Sequence, residues 1–193
     1  MEIMEELPIN ITQIIFVTLV FCLVGCQNKN VEYNTTDFAI GKGMLFYKGV
    51  PFSGILLQDN PTMEEVYSIS YKNGWEDGEY IAKKKSGQLL EKRYFKNGAK
   101  HGIHRSWFHN GNNRLYSEFN NGEYIGERWE WYDNVNPALF EKFDANGKIL
   151  ASKKWYRNGN IYMNIAFTNS GSSVGLPGSK ICDPIKPVEK KSE

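Results

Sequence analysis

"YKNGWEDG", residues 71–78, returns as "FKNGAKHG" at 95–102 and as "FNNGEYIG" at 119–126, and "FYKGVPFSG" at 46–54 is a looser version of the same phrase. The interval gives the phrase its meaning. Gly54, Gly78, Gly102 and Gly126 are each separated by 24 residues, and so are Tyr71, Phe95, Phe119 and Phe143. Trp107, Trp131 and Trp155, which head "WFHNG", "WYDNV" and "WYRNG", keep the same interval. Several registers held together at a period between about 20 and 50 residues mark a repeat architecture.

Each unit reads as two short strands and two turns. Asn-Gly, as at Asn73-Gly74, Asn97-Gly98 and Asn121-Gly122, supplies the two positive φ angles that a type I′ hairpin turn needs. The stretches between, such as "RSWF", "RWEWY" and "KKWY", are rich in aromatic residues that suit a pleated strand, and no apolar stripe of period 3.6 runs through them. The fold class expected is all-β: an elongated antiparallel β-meander of hairpins, each about 24 residues long.

Two-residue turns at Ser86-Gly87, Asn110-Gly111 and Asn134-Val135, with an equivalent turn at Thr62-Met63, set Tyr71 opposite Gly54, Phe95 opposite Gly78, Phe119 opposite Gly102 and Phe143 opposite Gly126. The expectation is that each ring lies over its glycine, covering backbone that has no side chain of its own. Trp107, Trp131 and Trp155 fall two strands apart, about 9.6 Å at the usual spacing, and form a spaced row. Phe108, Tyr132 and Tyr156 follow them directly in sequence and point to the other face. These six are the candidate binding surface; the competing reading makes the row a structural ladder of a thin sheet, and that reading is favoured.

With these residues in view, the chain from Leu45 to Phe167 resembles the variant MORN repeats of the YwqK-type antitoxin family, which share the pattern of an aromatic residue, Asn-Gly, three residues and Gly. The resemblance implies a meander of hairpins with a role in binding or scaffolding. The chain departs from the pattern at Asn134-Val135, which lacks the turn glycine, at Leu150, which stands where the next glycine is due, and at Asn146-Gly147, displaced by one residue. A distorted or capping last repeat is expected there.

Residues 9–24, "INITQIIFVTLVFCLV", are apolar but shorter than the roughly 20 residues of a membrane span, which fits the hydrophobic core of a secretory signal. Leu23-Val24-Gly25-Cys26 then resembles a bacterial lipoprotein cleavage box, with Cys26 as the acylated residue. Glu2, Glu5 and Glu6 make the leading segment acidic where a basic one is usual, and Met4 is an alternative start. Cys22 would leave with the signal, so Cys182 remains alone and no intramolecular disulfide is expected. The expected divisions are a signal at 1–25, a polar tether at 26–43, the repeat domain at 44–168 and a Pro/Gly/Ser-rich tail at 169–193. The expected location is the bacterial cell envelope, with the exported chain anchored by lipid, to the outer membrane, and an envelope protein as its partner.

Removing three acids from the 22, with all 23 basic residues kept, leaves a mature charge of +4, too small and too dispersed for a nucleic-acid binder. Catalytic groups are not expected. His101, His104 and His109 lack the convergence of a metal site, and their equivalents in neighbouring repeats are not ligands as a set. Glu76, Asp77 and Glu79, like Glu127 and Glu130, read as solvated charge, and Lys83-Lys84-Lys85 as a soluble turn. No cofactor and no metal are implied. The function expected is a non-enzymatic, membrane-anchored interaction module or scaffold of the cell envelope, itself antitoxin- or immunity-like on one version of that reading; the alternative is a glycan- or phospholipid-binding envelope module.

Overall fold

The computed structural model describes residues 29–168 and 173–175. The expected signal, the acylation site Cys26, Cys182 and most of the tail lie outside the described residues. Sixteen strands and no helix are found within them. They are β1 (Asn30–Glu32), β2 (Phe38–Gly41), β3 (Met44–Tyr47), β4 (Val50–Pro51), β5 (Gly54–Asn60) and β6 (Glu65–Lys72). Next come β7 (Trp75–Lys84), β8 (Leu89–Lys96), β9 (Ala99–Lys100), β10 (Gly102–Trp107) and β11 (Asn113–Asn120). The last are β12 (Glu123–Trp131), β13 (Pro137–Phe143), β14 (Ile149–Trp155), β15 (Ile161–Phe167) and β16 (Ser173–Val174).

The protein is all-β, and successive hairpins build one 13-stranded sheet in the order β1, β5, β6, β7, β8, β10 and then β11 to β16 without a crossover, with β9 completing the pairing of β8. All pairs are antiparallel except β1 with β5. This is the meander that the 24-residue period implies: each hairpin buries its apolar side chains against its neighbours along the sheet. Twelve strands in line at about 4.8 Å give a ladder roughly 50 Å across before twist.

The expected register is present. Gly54 pairs with Tyr71, Gly78 with Phe95, Gly102 with Phe119 and Gly126 with Phe143. The reason for the glycine is different from the one expected. On its other side each of the last three sits in a bulge. Ile69–Tyr80 is followed by Tyr71–Glu76, and Ser117–Arg128 by Glu118–Ile125, so the glycine-bearing strand carries two more residues than the strand before it. Gly78, Gly102 and Gly126 have φ of 108°, 65° and 58°, where glycine is at home and other residues are strained. A Cβ on Gly102 would meet only Tyr94 Cβ, at 3.8 Å; one on Gly78 would meet the Ser70 side chain, and one on Gly126 would overlap the Glu118 carboxylate. The Phe rings do not fill those spaces. They pack on one another instead: Phe95 on His104 (5.4 Å between centroids), His104 on Phe119 (4.6 Å), Phe119 on Tyr124 (4.5 Å) and Tyr124 on Phe143 (5.3 Å).

The two kinds of turn differ in build. Asn73-Gly74, Asn97-Gly98 and Asn121-Gly122 all have positive φ and close two-residue hairpins, as the sequence implies. The turns expected at Ser86-Gly87, Asn110-Gly111 and Asn134-Val135 are instead three residues long. Phe108 N–H, for example, donates to Asn112 O while Gly111 N–H donates to Phe108 O, and the matching bonds run from Lys84 and Tyr132. A bulge beside each loop takes up the extra residue, which is why the glycine–aromatic pairing survives. Asn146-Gly147 is displaced by one because this turn has switched type: Asp144 N–H donates to Lys148 O across a three-residue loop, and the register shifts at Lys142/Phe143.

The chain is tied down earlier than expected. Within the stretch read as a free tether, Lys29 O accepts from Ile55 N–H, β1 pairs with β5, and β2 forms a three-stranded sheet with β3 and β4. Phe38 explains this, since it is 6% exposed in a core with Leu45, Phe52, Leu56 and Ile69. Leu45 N–H donates to Gly74 O and Gly74 N–H to Phe52 O, which fasten this small sheet to the first Asn-Gly turn of the large one.

Candidate interaction face

Residues paired across strands share a face, so the register assigns every side chain to one of two. Trp107, Trp129, Trp131, Phe140 and Trp155 lie on the first. Trp131 stacks on Trp129 at 5.9 Å and 13°, Trp129 on Trp155 at 6.3 Å and 22°, and Phe140 tilts onto Trp129 at 4.5 Å. Two tryptophans two strands apart cannot touch, as their spacing implies; Trp129 bridges them. Its indole N–H donates to Glu127 Oε2 at 3.0 Å, which satisfies the one polar atom of a nearly buried ring.

This arrangement divides the six candidate residues. Trp155 is 7% exposed, so it belongs to the packed cluster and is not available as a contact residue. Trp131 and Trp107 are half-buried, and Trp107 makes no ring contact among the described residues. Phe108, Tyr132 and Tyr156 occupy the same place in three successive loops, each as the residue whose N–H closes the turn. The Arg114 guanidinium lies over Phe108 at 5.9 Å and Arg157 over Tyr132 at 6.0 Å, while Tyr132 OH donates to Trp155 O at 2.9 Å. Tyr156 is 56% exposed and packs on Tyr162 at 4.5 Å. A graded aromatic margin results, more open towards β15. Trp129 and Phe140 were missed in the sequence. "RWEWY" contains the signal, because Trp129 and Trp131 stand two apart and therefore share a face.

On the second face His104, Ser117, Arg128, Glu141 and Ser152 are aligned in one row across five strands. His104 Nε2–H donates to Tyr94 O at 2.7 Å, and burial lowers the imidazole pKa, with Arg93 and Lys100 pushing the same way. Arg128 reaches Glu130 and Glu141, leaving its Nε buried without a partner, as are Ser117 Oγ and Ser152 Oγ. His104 packs on Phe119, the Arg128 guanidinium lies over the Tyr124 ring at 5.1 Å, and Ser117 is fully buried. His101 lies against Tyr94 and His109 projects from a loop 4.0 Å from Glu65, so the three histidines occupy three separate environments. Among the described residues no three His, Cys, Asp or Glu side chains converge on one point. A cleft of about 170 Å³ opens where the two sheets meet, lined by Ile40, Met44, Tyr71, Trp75 and Glu76; burial raises the Glu76 carboxyl above its ordinary value.

No protein-family model matches the chain, and no curated protein matches it.

Proposed function

We propose that this protein is a non-enzymatic interaction module of the bacterial envelope, held to a membrane through acylated Cys26, and that it presents the aromatic margin of its long sheet to a protein partner. The observation carrying this reading is the line of Phe108, Tyr132 and Tyr156 at one loop position in three consecutive hairpins. The margin combines rings with adjacent guanidinium groups, a mixture enriched where proteins meet. A protein partner is favoured over stacked sugar rings because, of the four indoles on that face, Trp129 and Trp155 are consumed by internal packing and Trp131 has one side covered by Trp129. The antitoxin-like version of this role rests on the repeat resemblance alone.

The test is photo-crosslinking in membranes, with a photoreactive residue in place of Tyr156 or Tyr132 and with one in place of exposed Met63 as a control at the far end of the sheet. Discrete protein adducts from the two tyrosine positions, and none from the control, support the reading. Adducts to lipid or glycan alone overturn it. Fatty-acid labelling that persists in a Cys26→Ser chain overturns the anchor separately.

A further inference from the structure

The cleft where the two sheets meet differs from the rest of the protein in how its polar side chains are matched. Elsewhere Tyr67 OH donates to Glu65, Tyr116 OH to Glu118 at 2.8 Å and the Trp129 indole N–H to Glu127 at 3.0 Å. In the cleft, Tyr71 and Glu76 are paired across β6 and β7, and Trp75 stands next to Glu76 in sequence. Yet among the described residues nothing hydrogen-bonds to the Tyr71 hydroxyl, the Trp75 indole N–H or the Glu76 carboxylate. Ile40, Met44 and Leu45 supply apolar wall beside them. A concave site with a few polar groups set in apolar surface is the usual form of a small-molecule site.

Turns hold these walls in place. Leu45 N–H donates to Gly74 O and Gly98 N–H to Glu76 O, each at 2.8 Å. The Trp75 ring is seated on two further turn glycines: a Cβ on Gly98 would come within 2.8 Å of it, and one on Gly43 within 3.7 Å. The indole is nevertheless 40% exposed.

Charge narrows the ligand. Burial raises the Glu76 carboxyl, and Arg93, which acts the other way, is committed to Glu91 and lies over the Tyr80 ring at 5.1 Å. The neighbouring acid Asp77 is occupied, its Oδ2 accepting from Asn97 N–H at 2.9 Å. A desolvated carboxylate without a donor is relieved by a cation that carries N–H groups. The rim has the opposite sign. Lys42 precedes Gly43, Lys72 pairs with Trp75, and Lys96 leads into the turn that contains Gly98; all three are exposed and none is in an ion pair among the described residues. At the three-residue loops, by contrast, Lys85 is paired with Asp59 at 2.8 Å and Arg157 with Asp133. A ligand with a cationic end alone would meet these lysines as like charges, whereas one that also has an anionic end would be held by them.

We propose that this cleft binds a small zwitterion of the amino-acid class, with its ammonium on the Glu76 carboxylate beside the Tyr71 and Trp75 rings and its carboxylate towards Lys42, Lys72 and Lys96. The site lies at the Asn-Gly turns, the opposite edge of the sheet from the loops of Phe108, Tyr132 and Tyr156, so it is separate from the aromatic margin and does not rest on it.

The test uses the full chain in detergent with isotope-labelled tryptophan, the Trp75 indole N–H signal being identified by its loss in Trp75→Phe. It is titrated with α-aminobutyrate, γ-aminobutyrate, butylammonium and butyrate, four probes of one chain length. The expected result is a saturable shift of the Trp75 signal, with one of the two zwitterions binding at least tenfold more tightly than butylammonium and butyrate. That affinity should fall at least tenfold in Glu76→Gln and in Lys42→Gln/Lys72→Gln/Lys96→Gln. Where Glu76→Gln also lowers the thermal midpoint, the lysine variant decides, since its three side chains are exposed. Butylammonium or butyrate binding as tightly as both zwitterions makes this a site for a single charge and overturns the proposal. So does the absence of a saturable Trp75 shift at millimolar probe, or an affinity unchanged in a folded Glu76→Gln or in the lysine variant.

Discussion

Gly102 faces Phe119 across β10 and β11, yet the space where a Gly102 side chain would stand adjoins Tyr94, with no Phe119 atom within 4 Å of it. Pairing and contact are separate properties here because the glycine has φ of 65°, which turns its Cβ direction away from the one a regular strand would have. Gly102→Ala should therefore cost about 1–2 kcal/mol, from the left-handed backbone alone. Phe119→Ala should cost roughly 3–5 kcal/mol, because it removes a ring packed between His104 and Tyr124. In a double-mutant cycle by chemical denaturation the two losses should add to within about 0.5 kcal/mol. Strong coupling would show that the ring does rest on the glycine.

Val135 takes the place of glycine in the loop of β12–β13 with φ of 64°, a β-branched residue in a conformation that suits glycine. It is 62% exposed, so its side chain contributes little packing that could compensate. Val135→Gly should stabilise the protein by about 1 kcal/mol, the relief of left-handed strain outweighing the greater entropy of glycine in the unfolded chain. For a chain of this length the thermal midpoint should rise by about 2–4 °C. An unchanged or lower midpoint would mean that the Val135 side chain has a packing role in the loop.

Trp131 and Trp155 recur at one interval but should respond differently. Trp155→Ala opens a hole in the cluster of Trp129 and Phe140 and should cost about 3–5 kcal/mol. Trp131→Ala uncovers one side of Trp129, and because Trp131 is only half-buried the loss should be under half as large. Thermal melts of the two variants check this directly, and equal losses would place Trp131 inside the cluster too.

The meander and the pairing of Gly78 with Phe95 were legible because both depend on period and on turn chemistry, which a sequence records residue by residue. The bulges were not, since an extra residue in a loop and an extra residue in the strand beside it cancel in the pairing sums. The tether was misread for a related reason: "NVEYNTTDF" is polar on average, and its burial depends on Phe38 meeting Phe52 and Leu45, a contact that composition does not encode. The side-chain amide bonds between successive three-residue loops, from Asn110 and Asn112 to Asp133 O and from Asn134 and Asn136 to Arg157 O, were readable and were missed. Asn110, Asn134 and Asn158 keep the 24-residue interval, as do Asn112, Asn136 and Asn160, but as turn formers they drew no attention as donors to the next repeat. Among the candidate site residues, spacing located the loop position of Phe108, Tyr132 and Tyr156 but carried no information on how buried Trp155 would be.

These amide bonds between loops have a measurable strength. Asn112→Ala and Asn136→Ala each remove a side-chain donor to a loop carbonyl that keeps one other amide, from Asn110 and Asn134 respectively. Each should cost about 0.5–1.5 kcal/mol, the usual net contribution of a hydrogen bond. Removing both donors of one loop should cost more than the sum, since the Asp133 or Arg157 carbonyl then has neither. Urea denaturation of the single and double variants distinguishes this from simple loss of turn propensity, which predicts additive changes.

His104 makes stability depend on pH in a definite direction. It is 3% exposed between Phe95 and Phe119, and its Nε2–H is committed to Tyr94 O. Burial lowers its pKa below the ordinary histidine value of about 6.5, and the nearby Arg93 and Lys100 charges act in the same sense. Between that value and the lowered one, the unfolded chain binds a proton that the folded chain does not. Stability therefore falls as pH falls through this interval, and the contribution is fully present only above about pH 6.5. Glu76, whose carboxyl is raised by burial, works in the opposite direction, but it is common to the parent and to a His104→Gln variant. Gln retains a donor for Tyr94 O and cannot titrate. The variant should be less stable at pH 7.5, having lost the ring packing, yet its stability should decline less steeply from pH 7 to pH 5. Parallel declines in the two proteins would show that protonation of His104 is not resisted by the fold, and that the ring is more accessible to water than its place between the two phenylalanines implies.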